Sequence, residues 1–261
     1  MHMKKMIFCL AMLMCTTVAM ADTQVVAHRG YWKAPGQSGN AEGSAQNSLA
    51  SYKKADAINV YGSEIDVWMS TDGVVYVNHD RVFKGCEIQK STSKECNKVV
   101  LDNGEKMPKL KNYLKTVKKG NCRLVIEIKT HKDKSQQAKC VSEVLSLVKK
   151  AKLEERVDYI DFSAAACEQL VKEAPKGTPV YYLNGDKSPE EVKAMGLTGV
   201  DYHQDVFMKK HPEWLQQFKD MGLKINIWTV DSPEVMKYYI NKGVEFITTN
   251  EPELLISLLK K

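Results

Sequence analysis

Short apolar segments alternate with longer amphipathic segments along most of the chain. The apolar segments are rich in β-branched residues, which is typical of buried strands. They are QVVAHRG, GSEIDVWM with VVYVNHD, RLVIEIKT, VDYIDFS, PVYYLNG, GVDYHQ, KINIWTV and EFITTN. The segments between them have the apolar spacing of helices, over residues 48–56, 135–151, 165–173, 189–195, 212–221 and 233–242. A strand followed by a helix, repeated about eight times, predicts an α/β fold.

This repeat favours a TIM (β/α)8 barrel, in which parallel strands close into a cylinder surrounded by helices. A doubly wound open sheet is the alternative. Polar residues cluster at the carboxyl ends of the predicted strands, where barrel enzymes build their active sites, and this favours the barrel. We expect a single domain over residues 22–261, with a small insert at about 84–106 after the second barrel strand region.

The first residues depart from the strand and helix pattern. A pair of lysines precedes an apolar run over residues 6–14, and the small residues of AMA follow at 19–21. This order is typical of a secretory signal peptide. The apolar run is shorter than the roughly 20 residues that cross a bilayer, so a lasting membrane helix is disfavoured. We expect residues 1–21 to be cleaved and the protein to be periplasmic or secreted.

The composition is that of an ordinary globular protein, with 43% hydrophobic and 27% charged residues. The formal net charge of +6 is spread along the chain and gives no reason to expect a nucleic-acid partner. No cysteine and histidine spacing suggests a zinc site. The sequence does not indicate an oligomeric state.

The cysteines suggest one disulfide. Of the seven, five follow residue 21, so at least one of these stays unpaired within the chain. Cys86 and Cys96 bracket the polar stretch CEIQKSTSKEC, which has no apolar periodicity. Because an exported chain meets an oxidising compartment, a disulfide that closes this loop is plausible, with five reduced thiols as the alternative.

Three carboxylates fall on matching faces of two predicted strands. Residues two apart in a strand share a face, so Glu64 projects with Asp66, and Glu127 with Lys129. Acids that converge at a barrel mouth repel one another unless a cation lies among them. Oxygen ligands of this type suit Ca²⁺ or Mg²⁺. The sequence therefore predicts a divalent metal site at Glu64, Asp66 and Glu127.

Two histidines each end an alternating apolar run, and the alternation predicts that His28 and His79 face the barrel interior. A histidine pair beside a metal site is suited to general acid and base catalysis, because imidazole takes either protonation state near neutral pH. Arg29 and Lys129 add positive charge, and an arginine can hold a phosphate through two hydrogen bonds. The combination predicts phosphoryl transfer.

Six motifs carry a resemblance to a known family. AHRG, QNSLASYKKA, EIDVWMSTDGVVYVNHD, IEIK, INIWTVD and GVEFITTNEP are similar, in order and spacing, to the motifs of the glycerophosphodiester phosphodiesterase family. The similarity extends over essentially the whole chain after residue 21. It implies a TIM barrel that uses a divalent metal to hydrolyse glycerophosphodiesters to an alcohol and glycerol 3-phosphate.

The resemblance also assigns roles to individual residues. It implies that His28 and His79 are the acid and base, that Arg29 and Lys129 lie near the phosphate, and that Trp228 is in the pocket wall. The metal ligands it implies are Glu64, Asp66 and Glu127. For Trp228, a core tryptophan at a strand end is the alternative.

The chain departs from the family pattern in its polar loops. Gln46 stands where a glutamate is usual, and Glu42 in the glycine-rich loop is a candidate to replace that charge. Asn250 stands where an aspartate is common, and we expect it to lie behind the reacting groups with little effect on the chemistry. The insert at about 84–106 resembles a small subdomain that selects the leaving group, with a solvated charged loop as the alternative.

Two other functions compete with hydrolysis of a soluble glycerophosphodiester. One is a phospholipase-type phosphodiesterase that acts on a lipid or a teichoic acid, but the insert is rich in lysine and serine rather than large apolar residues. The other is a barrel that binds a ligand without catalysis, for which Gln46 is the only indication. We therefore expect a small-molecule substrate and no stable membrane insertion.

Overall fold

Eight parallel strands close into a barrel in the computed structural model, which describes residues 22–260. We number the barrel strands β1 (Gln24–Ala27), β2 (Gly62–Met69), β3 (Arg123–Ile128), β4 (Val157–Asp161), β5 (Val180–Tyr182), β6 (Gly199–His203), β7 (Lys224–Trp228) and β8 (Phe246–Thr249). Each strand pairs with its neighbours in the chain, and β1 pairs with both β2 and β8. The sheet is therefore closed, which confirms the TIM barrel and excludes the doubly wound open sheet.

A helix follows each barrel strand and returns the chain to the start of the next strand. These helices are α1 (Leu49–Ala57), α2 (Leu110–Val117), α3 (Lys134–Ala151), α4 (Ala164–Glu173), α5 (Pro189–Ala194), α6 (Trp214–Asp220), α7 (Pro233–Asn241) and α8 (Pro252–Leu259). Shorter turns of 3₁₀ helix lie at Ile88–Lys90 and Glu154–Arg156, and a π-helical turn lies at Val206–Lys210. The six predicted helices are confirmed, whereas α2 and α8 were not among them.

Local sequence fixes where several helices begin. The hydroxyl oxygen of Ser48 accepts a hydrogen bond from the backbone N–H of Ser51 at the start of α1. Ser188 caps α5, and Glu191 completes a capping box by accepting from the Ser188 backbone N–H. Caps of this kind satisfy backbone groups that the first turn of a helix leaves unpaired.

The alternation along each strand divides the apolar residues between two cores. Outward side chains such as Ile65 and Ile126 pack against the helices in the larger core. Inward side chains fill the lower part of the barrel, namely Val26, Val125, Ile160, Tyr181, Leu183 and Phe246. Polar side chains take over on the inward face towards the carboxyl ends of the strands, where they surround the site described below.

The insert is a packed subdomain rather than a solvated loop. An antiparallel strand (Val75–Val77) extends from β2, and a two-stranded ribbon (Val82–Phe83 and Cys86–Glu87) and a short helix (Ser93–Cys96) follow. Its apolar side chains form a separate small core with Trp68 and Tyr76. The subdomain therefore has a defined shape beside the carboxyl ends of the strands.

All five cysteines of the described residues are buried and carry free thiols. The sulfur atoms of Cys86 and Cys96 lie 3.4 Å apart inside the small core of the insert. The two residues are therefore adjacent but not bonded here, and the disulfide stays a prediction.

The predicted signal peptide at residues 1–21 lies outside the described residues. Within residues 22–260, none of the helices is both long enough and apolar enough to cross a membrane.

Candidate active site

The turn after β1 explains why a glycine follows the HR pair. Arg29 and Gly30 both have left-handed backbone, with φ of 57° and 77°. A Cβ atom on Gly30 would lie 2.4 Å from the hydroxyl oxygen of Ser51, so only glycine fits. The turn also directs the backbone N–H of Arg29 at Glu64, with 2.7 Å between the nitrogen and Oε2.

Three buried carboxylates converge beside this turn. Glu64 and Asp66 come from β2 and Glu127 from β3, and they offer oxygens that all lie within 4.8 Å of one another. Lys129 contacts two of them, with its Nζ 3.1 Å from Asp66 Oδ1 and 2.6 Å from Glu127 Oε1. The guanidinium Nε of Arg29 lies 3.7 Å from Asp66 Oδ2. The predicted metal ligands therefore form one cluster, as their strand positions require.

The electrostatics of this cluster favour an additional cation. Burial raises the pKa of Glu64 well above its usual value, and the charges of Asp66 and Glu127 add to the rise. Burial and Asp66 raise the pKa of Glu127 to about 7. Burial opposes ionisation of Asp66 as well, but Lys129 and other positive neighbours outweigh it and lower the pKa of Asp66. The three carboxyls can all be ionised together only if more positive charge is added. Because every ligand atom is oxygen, a hard divalent cation fits this need.

Asn47 is a site residue that the sequence analysis missed. Its side-chain nitrogen donates to Asp66 Oδ2 at 2.8 Å, and its Oδ1 accepts from the backbone N–H of Asp66 at 3.0 Å. Its own backbone is left-handed, with φ of 61°, a conformation that asparagine tolerates better than most residues. Asparagine favours turns, and Asn47 directly precedes Ser48, the residue that caps α1. These two features could have marked Asn47 in the sequence as a residue with a structural role. Asn47 holds Asp66 in one orientation.

Gln46 occupies the position of the usual glutamate and keeps a contact there. Its Oε1 accepts a hydrogen bond from Arg29 Nη1 at 2.6 Å. The suggestion that Glu42 replaces the missing charge is wrong, because the loop exposes its side chain to solvent. Only its backbone oxygen makes a contact among the described residues, with Lys54 Nζ.

His28 has one ring nitrogen whose partner is fixed. Its Nδ1 lies 2.9 Å from Oδ1 of Asn250, and that oxygen also accepts from Trp32 Nε1 at 3.1 Å. The amide nitrogen of Asn250 donates to Asp231 Oδ2 at 2.8 Å, so the amide oxygen must face His28. Nδ1 therefore carries the proton in the neutral ring, and Nε2 is left as the acceptor.

The charge state of His28 follows from its surroundings. Burial lowers the pKa of His28 to about 4, and the positive charge of Arg29 contributes to the lowering. The ring is therefore neutral at physiological pH. Asn250 lies behind it, as expected, but the direct contact gives this position more influence on His28 than the sequence alone indicated.

His79 lies across the site, in the loop after the antiparallel strand. Its side chain is 36% exposed, and its Nδ1 lies 2.8 Å from Asp80 Oδ1. Trp68 holds the backbone of this loop by donating to the carbonyl oxygen of His79 at 3.1 Å. Burial lowers the pKa of His79, whereas the charge of Asp66 and the hydrogen bond with Asp80 oppose the lowering.

Two cavities meet at His79. The deep cavity, of about 110 Å³, lies inside the barrel mouth and is lined by seven of the eight predicted site residues. Asp66 is the exception, and it contacts this group through Lys129. The insert cavity, of about 180 Å³, lies between the insert and the loop before α1. Its lining is mostly polar and includes Asn40, Gln46, Asn78, Asp80, Phe83 and Asp102.

Trp228 belongs to the wall of the deep cavity rather than to the closed core. Its indole nitrogen donates to the backbone oxygen of Asp201 at 2.8 Å, and its ring meets Phe162 edge to face with centroids 5.8 Å apart. Ile160 and Leu183 continue the same apolar wall. Asp201 also lines the cavity and was not predicted as a site residue.

Comparisons with known proteins identify the family of this chain. A model of the glycerophosphoryl diester phosphodiesterase family matches residues 28–254. A glycerophosphodiester phosphodiesterase of Caldanaerobacter subterraneus subsp. tengcongensis is 28% identical, over 92% of this chain and 98% of that protein. Among solved structures, a glycerophosphodiester phosphodiesterase of Parabacteroides distasonis is 42% identical and covers 93% of this chain and 98% of its own, with a TM-score of 0.87.

A more distant structure shares the fold. An Oleispira antarctica phosphodiesterase, solved in complex with the product sn-glycerol-3-phosphate, is 19% identical and covers 91% of this chain and 97% of its own, with a TM-score of 0.76. The match of the family model over nearly all of the barrel, together with the acidic cluster and paired histidines at its mouth, leads to one assignment. The chain belongs to the glycerophosphoryl diester phosphodiesterase family and is a phosphoric diester hydrolase.

Proposed function

We propose that this enzyme hydrolyses soluble glycerophosphodiesters to an alcohol and glycerol 3-phosphate, with a divalent cation held by Glu64, Asp66 and Glu127. The observation that carries the proposal is the convergence of these carboxylates with two histidines and two basic side chains around one cavity. The product named for the Oleispira antarctica relative, sn-glycerol-3-phosphate, is the product expected here.

A cation at the three carboxylates is Ca²⁺ or Mg²⁺, because all the ligands are hard oxygens. When bound, it would stabilise negative charge on the non-bridging oxygens of the phosphate. Arg29 reaches the same position from the turn after β1, and Lys129 lies between Asp66 and Glu127. We assign both side chains to the phosphate, which they attract and orient.

In this proposal the two parts of the substrate on either side of the phosphate bind in different cavities. The deep cavity is small and partly apolar, which suits the glycerol unit against Trp228. The insert cavity is larger and polar and suits the alcohol. His79 lines both cavities, so it is placed to protonate the departing alkoxide. His28 lines only the deep cavity and has an unprotonated Nε2, which makes it the base.

The nucleophile in this scheme is the glycerol 2-hydroxyl. His28 Nε2 takes its proton while the oxygen attacks phosphorus, the bond to the alcohol oxygen breaks, and His79 gives that oxygen a proton. The hydroxyl is already part of the bound substrate, so its attack benefits from proximity. The product is a cyclic phosphate, which water then opens to glycerol 3-phosphate with the two histidines in reversed roles.

A lipid substrate is less consistent with the insert. Among the described residues, the exposed large apolar side chains of this region are Val100 in the insert and Val82 just before it, and neither is aromatic. An enzyme that works on a membrane surface needs a larger apolar or strongly basic contact area. A soluble diester therefore remains the proposed substrate.

An assay with glycerophosphocholine tests the proposal. We expect hydrolysis that a chelator abolishes and that added Ca²⁺ or Mg²⁺ restores. Full activity in the presence of the chelator would contradict the metal site, and no activity with any added cation would contradict the substrate class. An analogue that lacks the glycerol 2-hydroxyl tests the nucleophile, since hydrolysis at the normal rate would exclude internal attack.

A further inference from the structure

Asp201 lines the deep cavity, but none of the roles proposed above uses it. It lies in the middle of β6, on the inward face of the barrel, and is only 1% exposed. Its Oδ1 has no hydrogen-bond partner among the described residues. A buried carboxyl oxygen without a partner is costly, because the oxygen has lost its hydrogen bonds to water.

The neighbours of Asp201 are already paired or are apolar. Trp228 donates to the backbone oxygen of Asp201, not to its side chain. Asn226, opposite in register on β7, favours the charged form of Asp201 through a side-chain hydrogen bond, and its amide nitrogen also donates to the Thr248 hydroxyl at 2.9 Å. Oδ1 of Asp201 still has no partner among the described residues. Ile160 and Leu183 contribute hydrocarbon to this wall, and Thr248 lines the same cavity. An unpaired carboxyl oxygen in a largely apolar wall is typical of a binding site with few polar contacts.

We propose that Asp201 binds the terminal hydroxyl of the glycerol unit and so selects glycerol over alkyl groups of the same length. This inference rests on the proposed function. With the phosphate at Arg29 and the 2-hydroxyl at His28, the terminal hydroxyl is the one polar group of glycerol still without a partner. It would enter the part of the cavity beside the unpaired Oδ1 of Asp201.

The chemistry of the carboxyl suits a hydroxyl ligand. Burial raises the pKa of Asp201 well above its usual value, with a contribution from the charge of Glu127. A protonated carboxyl both donates and accepts hydrogen bonds, as a hydroxyl does. The terminal hydroxyl can therefore pair with Asp201 without adding charge to the cavity.

Two substrates and two variants test the pairing. Glycerophosphocholine is compared with 2-hydroxypropyl phosphocholine, which keeps the 2-hydroxyl and lacks only the terminal one. We expect the unsubstituted enzyme to prefer glycerophosphocholine by roughly 10- to 100-fold in kcat/KM. Asp201→Leu should reduce this preference to about 2-fold or less by slowing only the natural substrate. Asp201→Asn, which keeps a donor and an acceptor, should retain most of the preference.

An equal loss on both substrates in Asp201→Leu would overturn the proposal, since it would indicate a structural role. An unchanged preference in that variant would overturn it as well. Thermal unfolding of each variant serves as the folding control. If Asp201→Leu does not fold, Asp201→Ala takes its place with the same two criteria.

A binding measurement separates this inference from the proposed function. Calorimetric titration with sn-glycerol 3-phosphate and with 2-hydroxypropyl phosphate requires no hydrolysis. We expect roughly 10-fold or tighter binding of the glycerol compound, and a loss of that difference in Asp201→Leu. An enzyme that discriminates in binding but hydrolyses no glycerophosphodiester would refute the function alone. Equal affinities for both compounds, or no binding of either, would refute the role of Asp201.

Discussion

At the residue scale, Asn250 determines which nitrogen of His28 can act as a base. Its amide oxygen accepts from Nδ1 because Asp231 holds the amide nitrogen. Asn250→Asp would place a carboxylate against that N–H and stabilise the charged ring, so the pKa of His28 should rise from about 4.

The base must be unprotonated, so activity falls when the pH drops below the pKa of His28. In Asn250→Asp the acidic limb of kcat/KM should therefore move up by about 1 to 3 pH units. Trp32→Phe is the matched control, since it removes the other donor to Asn250 Oδ1 without adding charge. An acidic limb that stays in place in Asn250→Asp would show that His28 is not the base.

Gln46 allows a test of charge near the acidic cluster. Gln46→Glu would add a carboxylate beside Arg29 and attract a cation, so metal affinity should rise by about 2- to 5-fold in a titration followed by calorimetry. Because the side chain of Glu42 is exposed to solvent, combining this change with Glu42→Ala should give additive effects. Coupling between the two substitutions would mean that the loop brings Glu42 into the site.

The site residues that could be predicted lie at positions set by strand spacing, whereas the missed features depend on contacts that form only in the folded barrel. Glu64, Asp66 and Glu127 stand on strands with clear alternation, and His28 directly follows β1, so their shared inward face is readable from spacing alone. The contact between Asn250 and His28 joins residues that follow the last and the first barrel strands and are 222 positions apart in the chain. It forms only because β8 pairs with β1. Asp201 is also inward by spacing, but only the folded cavity reveals that its oxygen lacks a partner.

At the element scale, the insert carries the predicted disulfide between Cys86 and Cys96. Their sulfur atoms lie 3.4 Å apart, so a bond requires only a small movement. In the chain-entropy model, closing a loop of this length stabilises the fold by roughly 3 kcal/mol or a little less. We expect mass spectrometry of a non-reduced digest of exported protein to find the two peptides linked.

Cys122→Ser is the matched control for that measurement, because Cys122 lies just before β3, outside the insert. The substitution should leave the linked peptides unchanged. Recovery of Cys86 and Cys96 as free thiols from protein kept under oxidising conditions would end the hypothesis.

The helices were predicted less completely than the strands. Strands of a closed parallel barrel are buried on both faces and form apolar runs that are easy to detect. The missed helix α2 has four buried positions, Leu110, Tyr113, Leu114 and Val117, at the spacing of an amphipathic helix, so it was readable from the sequence but was overlooked. The sequence also left the insert undecided between a loop and a subdomain. Its core forms with Trp68 and Tyr76 from outside the insert, so the insert sequence alone could not decide it.

At the scale of the whole molecule, export is a proposal that depends on residues 1–21. These residues have the order of a signal peptide, with AMA just before Asp22. If the protein is expressed in a bacterial host with an export pathway, N-terminal sequencing of the mature form should begin at Asp22. A mature chain that still begins at Met1 would contradict both the cleavage site and the periplasmic or secreted location.

Metal binding should also stabilise the whole barrel, because its ligands come from two neighbouring strands. A cation that binds only the folded chain adds about 2.7 kcal/mol to the free energy of unfolding at a concentration of 100 Kd. For a domain of this size, each kcal/mol corresponds to roughly 2 to 4 °C in Tm. Addition of saturating Ca²⁺ or Mg²⁺ to chelator-treated protein should therefore raise Tm by about 5 to 10 °C.

The ligand assignment makes this shift specific. Glu64→Gln removes one charged ligand and relieves repulsion within the cluster, so it should raise the Tm of the metal-free protein while it shrinks the metal-induced rise. Asp102→Asn, at an exposed carboxyl of the insert, is the control and should keep the full rise. Glu64→Gln is therefore expected to change both the Tm of the metal-free protein and the metal-induced rise in Tm, whereas Asp102→Asn should keep the metal-induced rise of the unsubstituted enzyme. A full metal-induced rise in Glu64→Gln would show that the cation binds elsewhere.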